Sequence, residues 1–225
     1  MALPRSGGRG CRKQFWRNQV GFRDRIGIDI GRRLSAEDAI SWAAANEVSY
    51  FDIQCDIAPN EMERFDPAAC AAIRDACAAN NLHLGLHTLS AMNTAEIAPF
   101  LRDAADEYLR AYIDLARQMA AEWVVVHGGY HFTGDAGLRR AASIDRLKRA
   151  TGYAEEQGVL LLLENLNGEP DLAEVHYMPD TMADTIAWFE AIPSENLKWA
   201  FTINHAHYDN DGIAGWIDGM DMRRC

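Results

Sequence analysis

The chain has 225 residues, 48% hydrophobic and 24% charged, which suits one large or two small globular domains and excludes disordered and collagen-like classes. Its 22 basic and 33 acidic residues give a net charge of −11, which works against a nucleic-acid polyanion as partner. The longest apolar run, around Val159 to Leu163, is far short of the ~18 residues that cross a bilayer, and nothing near Met1 resembles a secretory signal, so a soluble cytoplasmic protein with no membrane partner is expected.

Residues 1–25 are rich in glycine and arginine, hold seven of the basic residues and one acid, and lack a helical or strand period; they read as a disordered basic tail. The domain proper, 26–225, then carries −17. Its cysteines are scattered and form no C-x-x-C pair, so reduced thiols are expected rather than a disulfide framework or a cysteine zinc site.

From Ile26 onward short apolar runs alternate with longer segments of helical period, as parallel strands joined by crossover helices do. The predicted strands are 26–31, 49–54, 83–88, 123–128, 159–166 and 197–204, several of them apolar almost throughout, as strands buried on both faces should be. Ser35 with Asp38 three residues on resembles a capping box, and Asp66-Pro67 supplies an N-cap and an N1 proline for the second helix. Later helices are predicted at about 107–121, 135–157, 181–191 and 212–222, and Trp42, Trp123, Trp188, Trp199 and Trp216 are read as core.

Six such units suit either an open doubly wound sheet or most of a (β/α)₈ barrel. The first strand lacks a following G-x-G-x-x-G turn, whereas nearly every strand ends in a side chain that can ligate or move protons, which favours the barrel. These side chains are Asp29, Gln54 and Asp56, His87, His127, Glu164, and His205 with His207. His87, His127, Glu164 and His205 follow one another at intervals of 40, 37 and 41 residues, matching the unit repeat and placing four groups at one height on successive strands. Three imidazoles and a carboxylate there make a site for Zn²⁺, Mn²⁺, Co²⁺ or Mg²⁺.

The runs LGLHTLS, WVVVHGGYH, LLLENLNGEP and FTINHAH resemble the xylose-isomerase-like TIM-barrel superfamily of sugar phosphate isomerases and epimerases, which also contains endonuclease-IV-type abasic-site nucleases. The resemblance implies a (β/α)₈ TIM-barrel fold, here incomplete, with about six units present and strands 7 and 8, which carry the family's second catalytic glutamate, missing. It implies a divalent-metal-dependent sugar or polyol isomerase or epimerase in which Glu164 is both a ligand and the base beside a carbonyl, with His205 next to a ligand position. Thr202 stands where the family usually presents an aspartate. Two other readings are an abasic-site nuclease, which the acidic domain disfavours, and a non-catalytic barrel remnant that binds small molecules. Open edges would also give a motive for a homo-oligomer that completes the barrel.

Gln54, Asp56, Asp29, Asn165, Asn167, His131 and His207 are candidates to bind the hydroxyls of a small sugar-like substrate. Tyr130 and Phe132 are expected to face it, and the acidic loop 168–180 to act as a lid. His83 and His176 read as surface residues. No P-loop or basic cluster marks a phosphate site, which favours an unphosphorylated substrate.

Overall fold

The computed structural model describes residues 25–31 and 33–225, so the expected tail lies almost wholly outside the described residues. In chain order the first half runs β1 (Gly27–Asp29), α1 (Ala36–Ala45), β2 (Tyr50–Ile53), α2 (Pro67–Asn80), β3 (His83–His87), α3 (Leu101–Met119) and β4 (Trp123–Val126). The second half runs β5 (Tyr130–His131), α4 (Ala136–Gln157), β6 (Leu160–Glu164), β7 (His176–Tyr177), α5 (Met182–Ala191), β8 (Leu197–Ala200), α6 (Ile203–Tyr208) and α7 (Gly212–Gly219). Six strands form one parallel sheet in the order β1-β2-β3-β4-β6-β8, and β5 pairs with β7 as a separate antiparallel ribbon. Among the described residues the main sheet has six strands, with β1 and β8 at its edges.

The helices start where the local chemistry directs them. Ser35 accepts from the Asp38 amide, Asp66 from the Ala69 amide with Pro67 at N1, and Thr181 from the Asp184 amide. Each satisfies one orphan donor of a first turn.

Alternation along the strands separates two faces. Phe51, Ile53, Leu84, Leu86, Val124, Val126, Leu161, Leu163, Leu197 and Trp199 are all fully buried. They share one core with Ile40, Ile73, Ile113, Leu147 and Trp188 from α1 to α5, each buried side chain contributing about 1.5–3 kcal/mol of transfer free energy. The register Asp29, Asp52, Gly85, Trp123, Leu160 across neighbouring strands defines the other face. Counting in steps of two along each strand places His87, His127 and Glu164 on that same face. Trp123 lies across it so closely that a Cβ on Gly85 would stand 2.0 Å from the indole, so only glycine fits there.

Several boundaries differ from the sequence reading. The strand expected to run to residue 204 stops at Ala200, and 203–208 form α6, because the Asn165 side chain takes both backbone groups of Thr202 (2.9 and 3.1 Å) in place of a neighbouring strand. Helix α3 begins six residues earlier than its apolar period suggested. The loop 168–180 is not free-standing: β7 within it pairs with β5, and the Met178 and Leu166 amides bond to the Gly129 and Pro179 carbonyls. Trp42, expected in the core, is 42% exposed, because α1 buries the stripe Ala36, Ala39, Ile40 and Ala43 instead. Trp188, Trp199 and Trp216 are buried as expected, and Cys55, Cys70 and Cys77 are buried free thiols.

Candidate metal centre

Three side chains converge at the carboxyl ends of β3, β4 and β6. His127 Nε2 lies 3.0 Å and His87 Nε2 3.4 Å from Glu164 Oε2, and the two Nε2 atoms are 3.3 Å apart. His127 and Glu164 are buried and His87 is half-buried. Two ligands at about 2.1 Å from a tetrahedral cation stand about 3.4 Å apart, so all three separations match edges of such a polyhedron. The donor set, two imidazole nitrogens and a carboxylate oxygen, fits a divalent cation of the Zn²⁺ or Mn²⁺ kind.

Neighbouring groups hold each ring in place. His87 turns Nδ1 toward Asp52 Oδ2 at 3.7 Å, an arrangement in which a carboxylate orients a ligating histidine. Thr88 Oγ1 lies 3.2 Å from His127 Nδ1 and 3.0 Å from the Val125 carbonyl. The hydroxyl can donate to the one or to the other, so His127 keeps an Nδ1 partner whether Nε2 carries a proton toward Glu164 or presents a lone pair to a cation. Gly129, at φ +87°, lets the chain turn directly behind His127, where a Cβ would strike Asn93 Oδ1 at 2.4 Å.

The electrostatics follow from this packing. Burial alone would lower the His87 pKa, but Asp52 and Glu164 outweigh it and raise it to about 10. Burial holds His127 below the usual histidine range despite the facing Glu164. Burial would raise Glu164, yet hydrogen bonds from His127 and His87, and the Thr202 hydroxyl at 2.7 Å from Oε1, hold it below the usual carboxylate range. Cation binding must therefore displace a proton from His87, which makes metal uptake pH-dependent.

The other sequence-predicted residues divide into two groups. His205 flanks the cluster, with Nδ1 3.6 Å from Glu164 Oε1 but bonded to the Asn165 carbonyl at 2.8 Å. Asp29 joins Asp52 and His87 in a second group whose ligand atoms lie within 4.8 Å of one another, and Gln54 directly follows the end of β2.

Asp56, by contrast, accepts from both Tyr108 (2.8 Å) and Tyr112 (2.6 Å), a clamp between the β2 exit and α3. Asn165 is fully buried and spends its amide on Trp199 and Thr202. Asn167 donates to Glu169, His131 stacks on His176 at 5.4 Å, and His207 is exposed beside Tyr208. His83, read as surface, pairs with Glu122 at 2.5 Å and stacks on Tyr50. Asp52 was missed by the sequence reading, although alternation through Tyr50, Asp52 and Gln54 was a signal that could have found it.

The family model described as xylose isomerase-like TIM barrel matches residues 40–223. No curated protein matches the sequence. D-psicose 3-epimerase of Clostridium cellulolyticum H10, solved with D-tagatose, superposes with a TM-score of 0.73 at 15% identity, over 86% of this chain and 68% of that one. D-allulose 3-epimerase of a Methylomonas species gives 0.65 at 21% identity, over 85% and 66%. A xylose isomerase domain protein of Planctomyces limnophilus gives 0.63 at 12%, over 86% and 69%. With six parallel strands, crossover helices and polar groups gathered at the strands' carboxyl ends, and with the family model covering most of its length, the chain belongs to the xylose isomerase-like TIM barrel family.

Proposed function

We propose that the chain is a divalent-metal-dependent sugar isomerase or epimerase acting on a small, unphosphorylated ketose. The observation that carries this reading is the convergence of His87 Nε2, His127 Nε2 and Glu164 Oε2 at the strand ends. The similarity in fold to epimerases solved with D-tagatose and D-allulose supports the substrate class.

His87, His127 and Glu164 would hold the cation, with His205 at its margin. When bound, it supplies positive charge against the oxygen charge that develops as a proton leaves the adjacent carbon. Glu164 takes that proton, the Thr202 hydroxyl keeps its carboxylate fixed, and the buried walls formed by β4 and β6 exclude water. Gln54, Asn167, His131 and His207 remain candidates to bind sugar hydroxyls. Asp56 and Asn165 act by holding the strand exits that position the cluster.

Among the described residues the partners of Glu164 are His87, His127, His205 and Thr202, none of them a lysine or arginine, which favours a substrate without phosphate. Free thiols at Cys55, Cys70 and Cys77 suit a reducing, cytoplasmic setting. No described helix is long and apolar enough to cross a membrane.

Plasma mass spectrometry on protein purified without chelator tests the reading first, followed by ketose interconversion with added Mn²⁺ or Co²⁺. Near-stoichiometric metal and C3 epimerisation are expected; background metal together with no turnover on any ketose would overturn it. Asp52→Asn is expected to weaken Mn²⁺ affinity by about 10- to 100-fold while leaving the fold intact, because it removes the charge that orients His87. Calorimetric titration checks this, and unchanged affinity would remove Asp52 from the arrangement.

A further inference from the structure

A site selects among divalent cations by the number, kind and placement of its donors more than by raw affinity. Zn²⁺ settles with four ligands at tetrahedral corners, whereas Mn²⁺ and Mg²⁺ call for six. A carboxylate that chelates through both oxygens helps to fill the larger set; one that binds through a single oxygen does not. We propose that Thr202 sets the cation selectivity of this centre, holding Glu164 to one ligating oxygen and so building a three-donor site for a four-coordinate cation such as Zn²⁺ rather than six-coordinate Mn²⁺. The inference rests on the metal centre proposed above and deepens it by naming the cation.

The two oxygens of Glu164 meet different surroundings. Oε2 faces the imidazoles, 3.0 Å from His127 Nε2 and 3.4 Å from His87 Nε2. Oε1 is turned to Thr202, whose hydroxyl donates to it at 2.7 Å, and His205 Nδ1 stands 3.6 Å from it. The donated proton engages a lone pair of Oε1 and draws charge from it, which leaves it the weaker donor to a cation. Chelation through both oxygens would turn Oε1 toward the imidazoles and away from the hydroxyl.

Thr202 is itself held. The fully buried Asn165, next in sequence to Glu164, accepts from the Thr202 amide at 2.9 Å and donates to its carbonyl at 3.1 Å. The backbone that carries the hydroxyl is thereby tied to the residue beside the carboxylate. His205 adds no fourth donor: its Nδ1 is bonded to the Asn165 carbonyl at 2.8 Å, and the ligand atoms that converge are those of His87, His127 and Glu164. Two imidazoles and one single-oxygen carboxylate leave a four-coordinate cation one open corner, for an oxygen of the substrate.

The test uses the full chain loaded with Co²⁺, whose visible absorption is strong in a four-coordinate site and weak in a six-coordinate one, together with Zn²⁺ and Mn²⁺ competition. Zn²⁺ outcompetes Mn²⁺ at most nitrogen-bearing sites, so the quantity compared is how far each variant shifts the ratio of the two affinities. The wild type is expected to give the strong four-coordinate spectrum. Thr202→Val removes the hydroxyl at nearly unchanged volume and frees Oε1, so the spectrum should weaken and the Zn²⁺ preference fall by about 10-fold or more. Thr202→Ser keeps the hydroxyl and should retain both. A weak six-coordinate spectrum in the wild type, or a valine variant with the wild-type spectrum and preference, overturns the inference. A wild type that gives the four-coordinate spectrum yet interconverts no ketose overturns the reaction proposed above and upholds the inference; one that takes up neither Co²⁺ nor Zn²⁺ overturns both.

Discussion

Glu164→Ala is expected to abolish divalent-metal binding and to lower ketose turnover by about 10³-fold or more, since on the proposed reading it removes a ligand and the base together. The carboxylate is 8% exposed, and four groups converge on it: His87 and His127 on Oε2, Thr202 and His205 on Oε1. Nothing else in the cluster carries negative charge on the Nε2 side of the two rings. Without it, two imidazoles 3.3 Å apart remain with no carboxylate on their Nε2 side, and a divalent cation would lose the charge that attracts it.

Glu164→Gln separates charge from shape. It keeps the volume and an oxygen for the Thr202 hydroxyl, so the fold should persist while metal binding is lost. Calorimetric titration with Mn²⁺ and ketose turnover read both variants. Wild-type metal affinity in either would sink the assignment.

Arg146→Met is expected to be the most destabilising single change, at about 3–5 kcal/mol out of the roughly 5–15 kcal/mol of a typical domain. The Arg146 side chain is only 4% exposed. It donates to the Thr94 carbonyl, to the Glu96 and Arg102 carbonyls at 3.0 and 3.2 Å, and to Asp106 at 3.1 Å. Methionine fills the volume but leaves three carbonyls without this donor, in places water reaches poorly, while Asp106 keeps Arg149 at 3.0 Å.

The consequence should extend to the metal centre. Thr94 Oγ1 donates to the His127 carbonyl at 2.6 Å, and Asn93 Oδ1 accepts from the Tyr130 amide at 2.9 Å. The segment that Arg146 clamps is therefore the one that braces the His127 turn. Thermal unfolding followed by circular dichroism should show a loss of about 10 °C; a melting temperature within a degree or two of the wild type would show that the 88–100 segment holds itself.

Much of the architecture was legible because it rests on local regularities. Apolar runs such as WVVV and LLLL have few alternatives to buried parallel strands, and Ser35, Asp66 and Thr181 mark helix starts by chemistry that acts over three residues. The repeat that spaces His87, His127 and Glu164 gave their common height, because strand alternation and the unit length act at every turn of the chain.

What escaped the sequence reading was the choice among partners. Asn165 looked like a sugar-binding amide, but it is the group that ends β8 by capturing Thr202. Asp56 looked like a substrate ligand, but two tyrosines from α3 reach it across the strand ends. Trp42 lies on the wrong side of an alanine-rich helix whose small residues, rather than its aromatic one, allow close approach to the sheet.

The sequence by itself determined the family, the alternation of strands and helices, and which face of the sheet carries the ionisable groups, since these follow from hydrophobic period and turn chemistry within tens of residues. Only the tertiary structure decided which of those groups meet. Hydrogen bonds are satisfied by whichever donor lies within about 3 Å, and that depends on contacts between residues 37 to 57 positions apart, such as His127 with Glu164 and Tyr112 with Cys55.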